Sequence, residues 1–396
     1  MKVIEMKNWS NSQLKSILLW FFTFSISFIL LHASDWIILR VSNLHLIPMF
    51  NDTRLVLASS DCARELGGGF LGENIAQSCT YNYGYSLIKI FHLLNIGLRD
   101  ANQVGFLLAF IYTLVISFFA SLLSPRSLKS KIFLFIILLS HPSIFLVERG
   151  NFDILMIFLI SLFVVFWSMN LKYLSLFPLL LSALIKFYSL PIFVFMLLGR
   201  LKRSEKLITL IIFSVGVASV LPNILQIDGN FPRNCSAAFG NPVIFECARE
   251  VGILIPDRAQ DILGLILLAS AYLLLKKFRL IPSQTFEDSL AAKLSLTLSI
   301  VFLACYFAFI NVDYRLVFLL FPALYEIFVA TKVAKVKYIM GVLLFGAVWF
   351  GDLSFGLQPL GDILLMFWVI ILTKRVVGSL RLMLPRDYLN VGEWKK

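Results

Sequence analysis

The sequence predicts an all-α fold, a polytopic transmembrane helical bundle of about 10 to 12 membrane segments with two longer loops on its non-cytoplasmic side. Three observations lead there. Of the 396 residues, 59% are hydrophobic and only 15% charged, with a mean hydropathy of +0.87; a soluble domain carries about 25% charged residues. Apolar runs approaching the ~20 residues that cross a bilayer recur along the whole chain. The basic residues collect in alternate connections, as they do in the cytoplasmic loops of membrane proteins.

The apolar runs are 16–34, 103–123, 132–147, 152–169, 173–185, 188–199, 207–226, 259–275, 294–310, 316–331, 338–352 and 358–373. The first leads into His-Ala-Ser-Asp-Trp without a small-residue cleavage site, and is expected to stay as the first helix. With the N-terminus inside, one side receives SPRSLKSK, NLK, GRLKRSEK, KKFRLIPSQTFEDSLAAK, KVAKVK and the C-terminal stretch, its tail placed at 376–396. Together with the N-terminal segment, that side holds 24 of the 35 Lys and Arg but 7 of the 23 Asp and Glu. Both termini are therefore assigned to the cytoplasm. The net charge of +12 has the same origin and does not imply nucleic acid as a partner. Runs 173–185 and 188–199 are too short to cross singly; a shallow hairpin is preferred over one longer helix, because basic loops flank the pair.

Two long connections fall on the other side, 34–102 and 228–258. The first contains Cys62 and Cys79, the second Cys235 and Cys247, while Cys305 lies inside an apolar run. Two cysteines in each outer loop suggest two local disulfides formed in an oxidising compartment. A zinc site is the alternative, but no Cys-x-x-Cys or neighbouring His supports it. P-loop, Rossmann glycine and His-Glu-x-x-His patterns are all missing from the sequence, and the four histidines are scattered. No cofactor or metal is called for, although a divalent ion stays open if Asp52 and Asp61 lie together.

Four charged clusters interrupt the apolar pattern. Asp52 and Arg54 sit in FNDTR, and Glu148, Arg149, Asn151 and Asp153 in ERGNFD. Lys186 and Tyr188 sit in IKFYSLP at the tip of the short hairpin, and Asp313, Tyr314 and Arg315 in NVDYR. A charge at bilayer depth costs about 2.5–3.5 kcal/mol on insertion scales, so such residues line cavities or sites. Each cluster alone has a plainer explanation. Long cations snorkel, Asn151 can cap the next helix, and Asp153 suits that helix's N-terminal dipole. All four, however, emerge on the same non-cytoplasmic face. A carboxylate there can take a proton from a hydroxyl, and Arg and Lys can hold phosphate oxygens. The set fits group transfer from a lipid phosphate whose tail stays in the bilayer.

The order of these motifs resembles the GT-C-type membrane glycosyltransferases that use polyprenyl-phosphate sugars, most closely glycosyltransferase family 87. In that family an R-G-N/Q-x-D-like segment precedes an A-L-K-x-Y-P-like one; here they read ERGNFD and ALIKFYSLP, with the proline displaced to Pro191. The D-x-R of Asp52 and Arg54, the following DC…GG…C…NY and the late DYR of NVDYR extend the similarity over residues 50–320. The resemblance implies a GT-C-like bundle with its site on the outer face, in a bacterial inner membrane. It also implies a polyprenyl-phosphate donor, often of mannose, with inversion at the anomeric carbon. Asp52 is the expected base, with Asp61 as a second possibility. Arg54, Arg149, Lys186, Tyr188 and Arg315 would hold the phosphate, and Glu148, Asn151, Asp153, Asp313 and Tyr314 would support them. The acceptor, whether glycan, lipid or protein, is left open. The competing readings are a transporter or flippase for a lipid-linked glycan and a structural membrane protein.

Overall fold

The computed structural model describes residues 11–42, 49–65, 85–199, 201–225, 238–239, 257–277, 288–308, 311–353 and 358–383. These residues are overwhelmingly helical. The helices are α1 (Asn11–Ser42), α2 (Asn51–Glu65), α3 (Tyr85–Leu93), α4 (Ala101–Leu123), α5 (Leu128–Leu138), α6 (His141–Arg149), α7 (Asp153–Ser168), α8 (Lys172–Ile185), α9 (Leu190–Leu198), α10 (Arg203–Leu225), α11 (Asp257–Lys277), α12 (Leu290–Ala308), α13 (Val317–Tyr325), α14 (Ala334–Leu353) and α15 (Gln358–Met383). Five described helices are long and apolar enough to cross a membrane, or six if a bent pair counts as one span. Four further apolar helical stretches are shorter, at 10–17 residues. This is a membrane-embedded helical bundle. Many of its large apolar side chains point outward, among them Phe22, Ile29, Phe106, Leu207, Leu265 and Val342, which in water would be an aggregation liability and in lipid is the expected surface.

Three expectations from the sequence change. The apolar run 132–147 is not one helix: α5 ends at Leu138 and α6 restarts at His141 with a bend of 42°. Pro142 stands at the start of α6, where a missing N–H costs nothing. The connection 34–102 is not a plain loop either. It contains α2 and α3, together with a 3-10 turn over Leu98–Asp100. Lastly, the C-terminal tail placed at 376–396 is helical through Met383, as the end of α15.

The paired short runs do form two helices. Lys186 is extended (φ −151°, ψ 138°) between α8 and a 3-10 turn over Phe187–Ser189 that leads into α9. At the opposite end, Lys172 at the start of α8 bonds Glu205 at the start of α10 (2.9 Å), so the chain returns to where it began. The hairpin reading is the observed one. A second buried ion pair, Glu326 with Arg375, ties α13 to α15. Arg375 also lies over the Tyr325 ring at 4.5 Å, where the backbone widens into a π turn over Glu326–Ala330.

What positions the candidate site is the docking of α2 onto the turn between α6 and α7. Phe50, at φ +59°, donates its N–H to the Glu148 carbonyl at 2.7 Å. Its ring is buried against Gly105 of α4, where a Cβ would overlap it. Thr53 donates its hydroxyl to the Gly150 carbonyl at 2.6 Å. Gly150 ends α6 in the left-handed region (φ +57°), and the Asn151 N–H returns to the Leu146 carbonyl at 3.2 Å, a six-to-one bond that closes the helix end. An added Cβ at Gly150 would stand 2.5 Å from the Thr53 hydroxyl. Gly150→Ala is therefore expected to lower the unfolding midpoint in detergent, from about 1–2 kcal/mol of left-handed strain plus the lost contact. Gly216→Ala, whose Cβ meets only ordinary neighbours at 3.4 Å or more, should leave the midpoint unchanged or raise it.

Candidate functional site

The turn Arg149–Asp153 makes its two halves face different ways. Arg149 closes α6, while Asn151 accepts the Asp153 N–H on its side-chain oxygen at 2.9 Å and so starts α7. The N-cap itself is Phe152, so Asn151 acts one residue before the expected cap, through an Asx-type turn. Asn151 is fully buried, and every polar atom of its amide is engaged. Its nitrogen donates to Oδ2 of Asp52, and its oxygen also accepts from Nζ of Lys186 at 3.1 Å.

Asp52 enters from the first turn of α2, only 4% exposed. Arg149 donates to its Oδ1 from Nε at 2.8 Å and from Nη2. The guanidinium of Arg149 also lies 5.3 Å from the Phe145 ring centre. On the far side of Asn151, the fully buried Asp153 holds two cations. Lys186 Nζ lies 2.7 Å from Oδ1, and Arg315 Nε lies 3.5 Å from Oδ2. Arg315 sits over the Tyr188 ring at 4.9 Å, and that ring packs on Phe187. Two carboxylates and three cations thus form one continuous buried network drawn from four segments of the chain. Burial of charge without partners would cost several kcal/mol per ion, so each charge here depends on the others.

Several expected residues stand elsewhere. Arg54 turns away from Asp52, donating to the Met49 carbonyl at 2.9 Å and to Asn102 Oδ1 at 2.7 Å. Asp61 accepts the Leu98 N–H at 2.8 Å and pairs with Arg64 at 3.3 Å, anchoring the entry to α4. Nine residues along one helix separate Asp52 from Asp61, about 13 Å of rise and half a turn of rotation, so the two do not form a shared metal pair. Glu148 contributes its carbonyl to Phe50. The backbone of Asp313 and Tyr314 lies in a 3-10 turn over Asp313–Leu316, packed on α6; their side chains fall outside the described part. Cys62 is disulfide-bonded, and Cys305 is a buried thiol outside any disulfide. Cys79, Cys235 and Cys247 lie outside the described residues.

Residues that carried no sequence signal also contribute. Phe50 and Thr53 dock α2, and Ser182 bonds Ser189 at 2.9 Å, fixing the turn that presents Tyr188. Residues Ala238 and Phe239, in the connection 228–258, pair antiparallel with Val312 and Asn311, immediately before the Arg315 turn. Directly after Ser189 begins an open groove of about 390 Å³ lined only by apolar side chains, including Leu190, Val194 and Leu198 of α9, Phe213 of α10, Ile300 of α12 and Leu380 of α15. Along the chain, only the turn Phe187–Ser189 separates Lys186 of the polar network from Leu190, where the open apolar groove begins.

No family model, no curated protein and no solved structure matches this chain.

Asp153→Asn should lower the unfolding midpoint sharply, because removing one partner from a buried pair costs about 3–5 kcal/mol. Adding Lys186→Met to that variant should recover part of the loss, since the stranded cation is then gone. Thermal unfolding in detergent reads both. A double variant less stable than the single one would show that Asp153 and Lys186 do not depend on each other.

Proposed function

We propose that the chain is a GT-C-type membrane glycosyltransferase, similar to glycosyltransferase family 87, that moves a sugar from a polyprenyl-phosphate donor to an acceptor on the non-cytoplasmic face. Mannose is the first sugar to test. The observation that carries the reading is the juxtaposition of Lys186 and Arg315, held by Asp153, with the apolar groove that begins at Leu190. One 3-10 turn of the chain separates a cation suited to a phosphate from an open groove suited to a lipid tail. The reading places the protein in a bacterial inner membrane with both termini cytoplasmic and with 10 to 12 segments, the short helices α7–α9 and α13 included.

In this mechanism Asp52 takes the proton of the acceptor hydroxyl as that oxygen bonds to the anomeric carbon. The bond from that carbon to the phosphate oxygen breaks with its electron pair on the phosphate, and configuration inverts. A singly charged phosphodiester becomes a monoester carrying up to two charges. Arg149, Lys186 and Arg315 therefore hold the transition state more tightly than the bound donor, which is the condition for catalysis. Asp153 and Asn151 keep the cations and the base in register.

One observation favours a second reading, a flippase for a lipid-linked glycan. The chain breaks at Lys186 and between Leu138 and His141, and broken helices line the pathways of transporters. Purified protein incubated with radiolabelled polyprenyl-phosphate sugars and membrane extract separates the two: label in an acceptor supports transfer, whereas translocation of intact donor without transfer supports the flippase. Asp52→Asn is expected to cut transfer about 100- to 10,000-fold, and Lys186→Met or Arg315→Met about 100- to 1000-fold. Normal transfer by Asp52→Asn would remove Asp52 as the base.

A further inference from the structure

The base and one of the phosphate-holding cations are bonded to each other. Arg149 donates twice to Oδ1 of Asp52, and the Asn151 amide occupies Oδ2. In this state the Asp52 carboxylate has no free lone pair directed at an incoming hydroxyl from that guanidinium's side, and Arg149 spends its paired N–H groups on Asp52. The other two cations are arranged differently. Lys186 and Arg315 both pair with Asp153, which is fully buried. Arg149 is also the most exposed of the three, with 23% of its side chain accessible against 5% for Lys186 and 11% for Arg315. It is the cation best placed to change partners.

We propose that Arg149 exchanges partners during turnover, leaving Asp52 for the donor phosphate, so that donor binding releases the base. This rests on the glycosyl-transfer reading. The charges balance at each stage. A diester phosphate brings one negative charge, the same as the carboxylate it displaces from Arg149. When the acceptor hydroxyl gives its proton to Asp52, that carboxyl becomes neutral and loses its hold on Arg149. At the same moment the carbon–oxygen bond to the phosphate breaks and the phosphate gains a charge, so the guanidinium binds it more tightly. After polyprenyl phosphate departs, Asp52 gives up its proton and recaptures Arg149. The pair is a latch that keeps the base quiet until donor is present, and it makes donor bind before acceptor is deprotonated. Asn151 stays on Oδ2 throughout, holding the carboxyl in place while its other face is exposed.

The latch has an unusual consequence: removing the base should tighten the lipid phosphate. Geranylgeranyl monophosphate serves as the probe, titrated against purified protein in detergent, with size-exclusion profiles confirming that each variant is folded. Asp52→Asn should bind it about fivefold or more tightly than wild type, the usual scale of a coupling between sites. In an Arg149→Gln background the same Asp52→Asn change should give no gain, because the benefit passes through Arg149. A gain that persists undiminished without Arg149 would reduce the effect to general charge removal and overturn the exchange. So would an Asp52→Asn variant that binds no tighter than wild type. A wild-type protein with no saturable binding would instead overturn the transferase reading beneath it.

Discussion

Everything at the candidate site depends on the need to neutralise charge where water is scarce. Asp153 is wholly buried, and it persists because Lys186 and Arg315 stand on its two oxygens. Asn151 carries that arrangement across to Asp52 through a single amide. Lose any one member and an uncompensated charge or amide is left in a low-dielectric interior, where the penalty is large. This constraint explains why α2 is docked so firmly. Asp52 must arrive within bonding distance of a turn 97 residues away, and Phe50, Thr53 and Gly150 share the task of holding it there.

The helix breaks follow from the same requirement. An uninterrupted α8 would carry Lys186 past Asp153 along a regular helix; its extended backbone at that residue instead turns the side chain to the network and starts α9 in the other direction. The bend before α6 brings Arg149 to the same end of the bundle. Short helices that look inadequate as membrane spans thus serve to end at the right depth. The groove beside α9 exists because that helix is short and packs against α10 and α12 at its flanks.

Much of this was legible in the sequence. The membrane class followed from composition, and the hairpin followed from two short apolar runs between basic loops. Arg149, Lys186, Arg315 and Asp52 stood out because charges are costly in such surroundings, and the structure brings them together. Arg54 and Asp61 stood out for the same reason but pair locally, because a charge's partner cannot be read from its own neighbourhood. Helix α2 was hidden by its polar composition, since NDTRLVLASSDCARE has no long apolar stripe and reads as loop. The restart at α6 has its signal in Ser140-His141-Pro142-Ser143, which interrupts the apolar run 132–147 where the helix bends. Phe50 at positive φ had no signal at all, because an aromatic residue is among the least suited to that backbone region.

We propose above all that the Lys186–Asp153–Arg315 cluster and the groove along α9 receive a lipid phosphate. This is tested most directly by photocrosslinking in native membranes with a polyprenyl phosphate that carries a photoreactive group on its tail. Labelling concentrated on the peptide spanning α9, abolished by excess unlabelled polyprenyl phosphate but not by excess phosphatidylglycerol, is the expected result. Labelling spread evenly over the lipid-facing helices, and indifferent to polyprenyl phosphate, would contradict it.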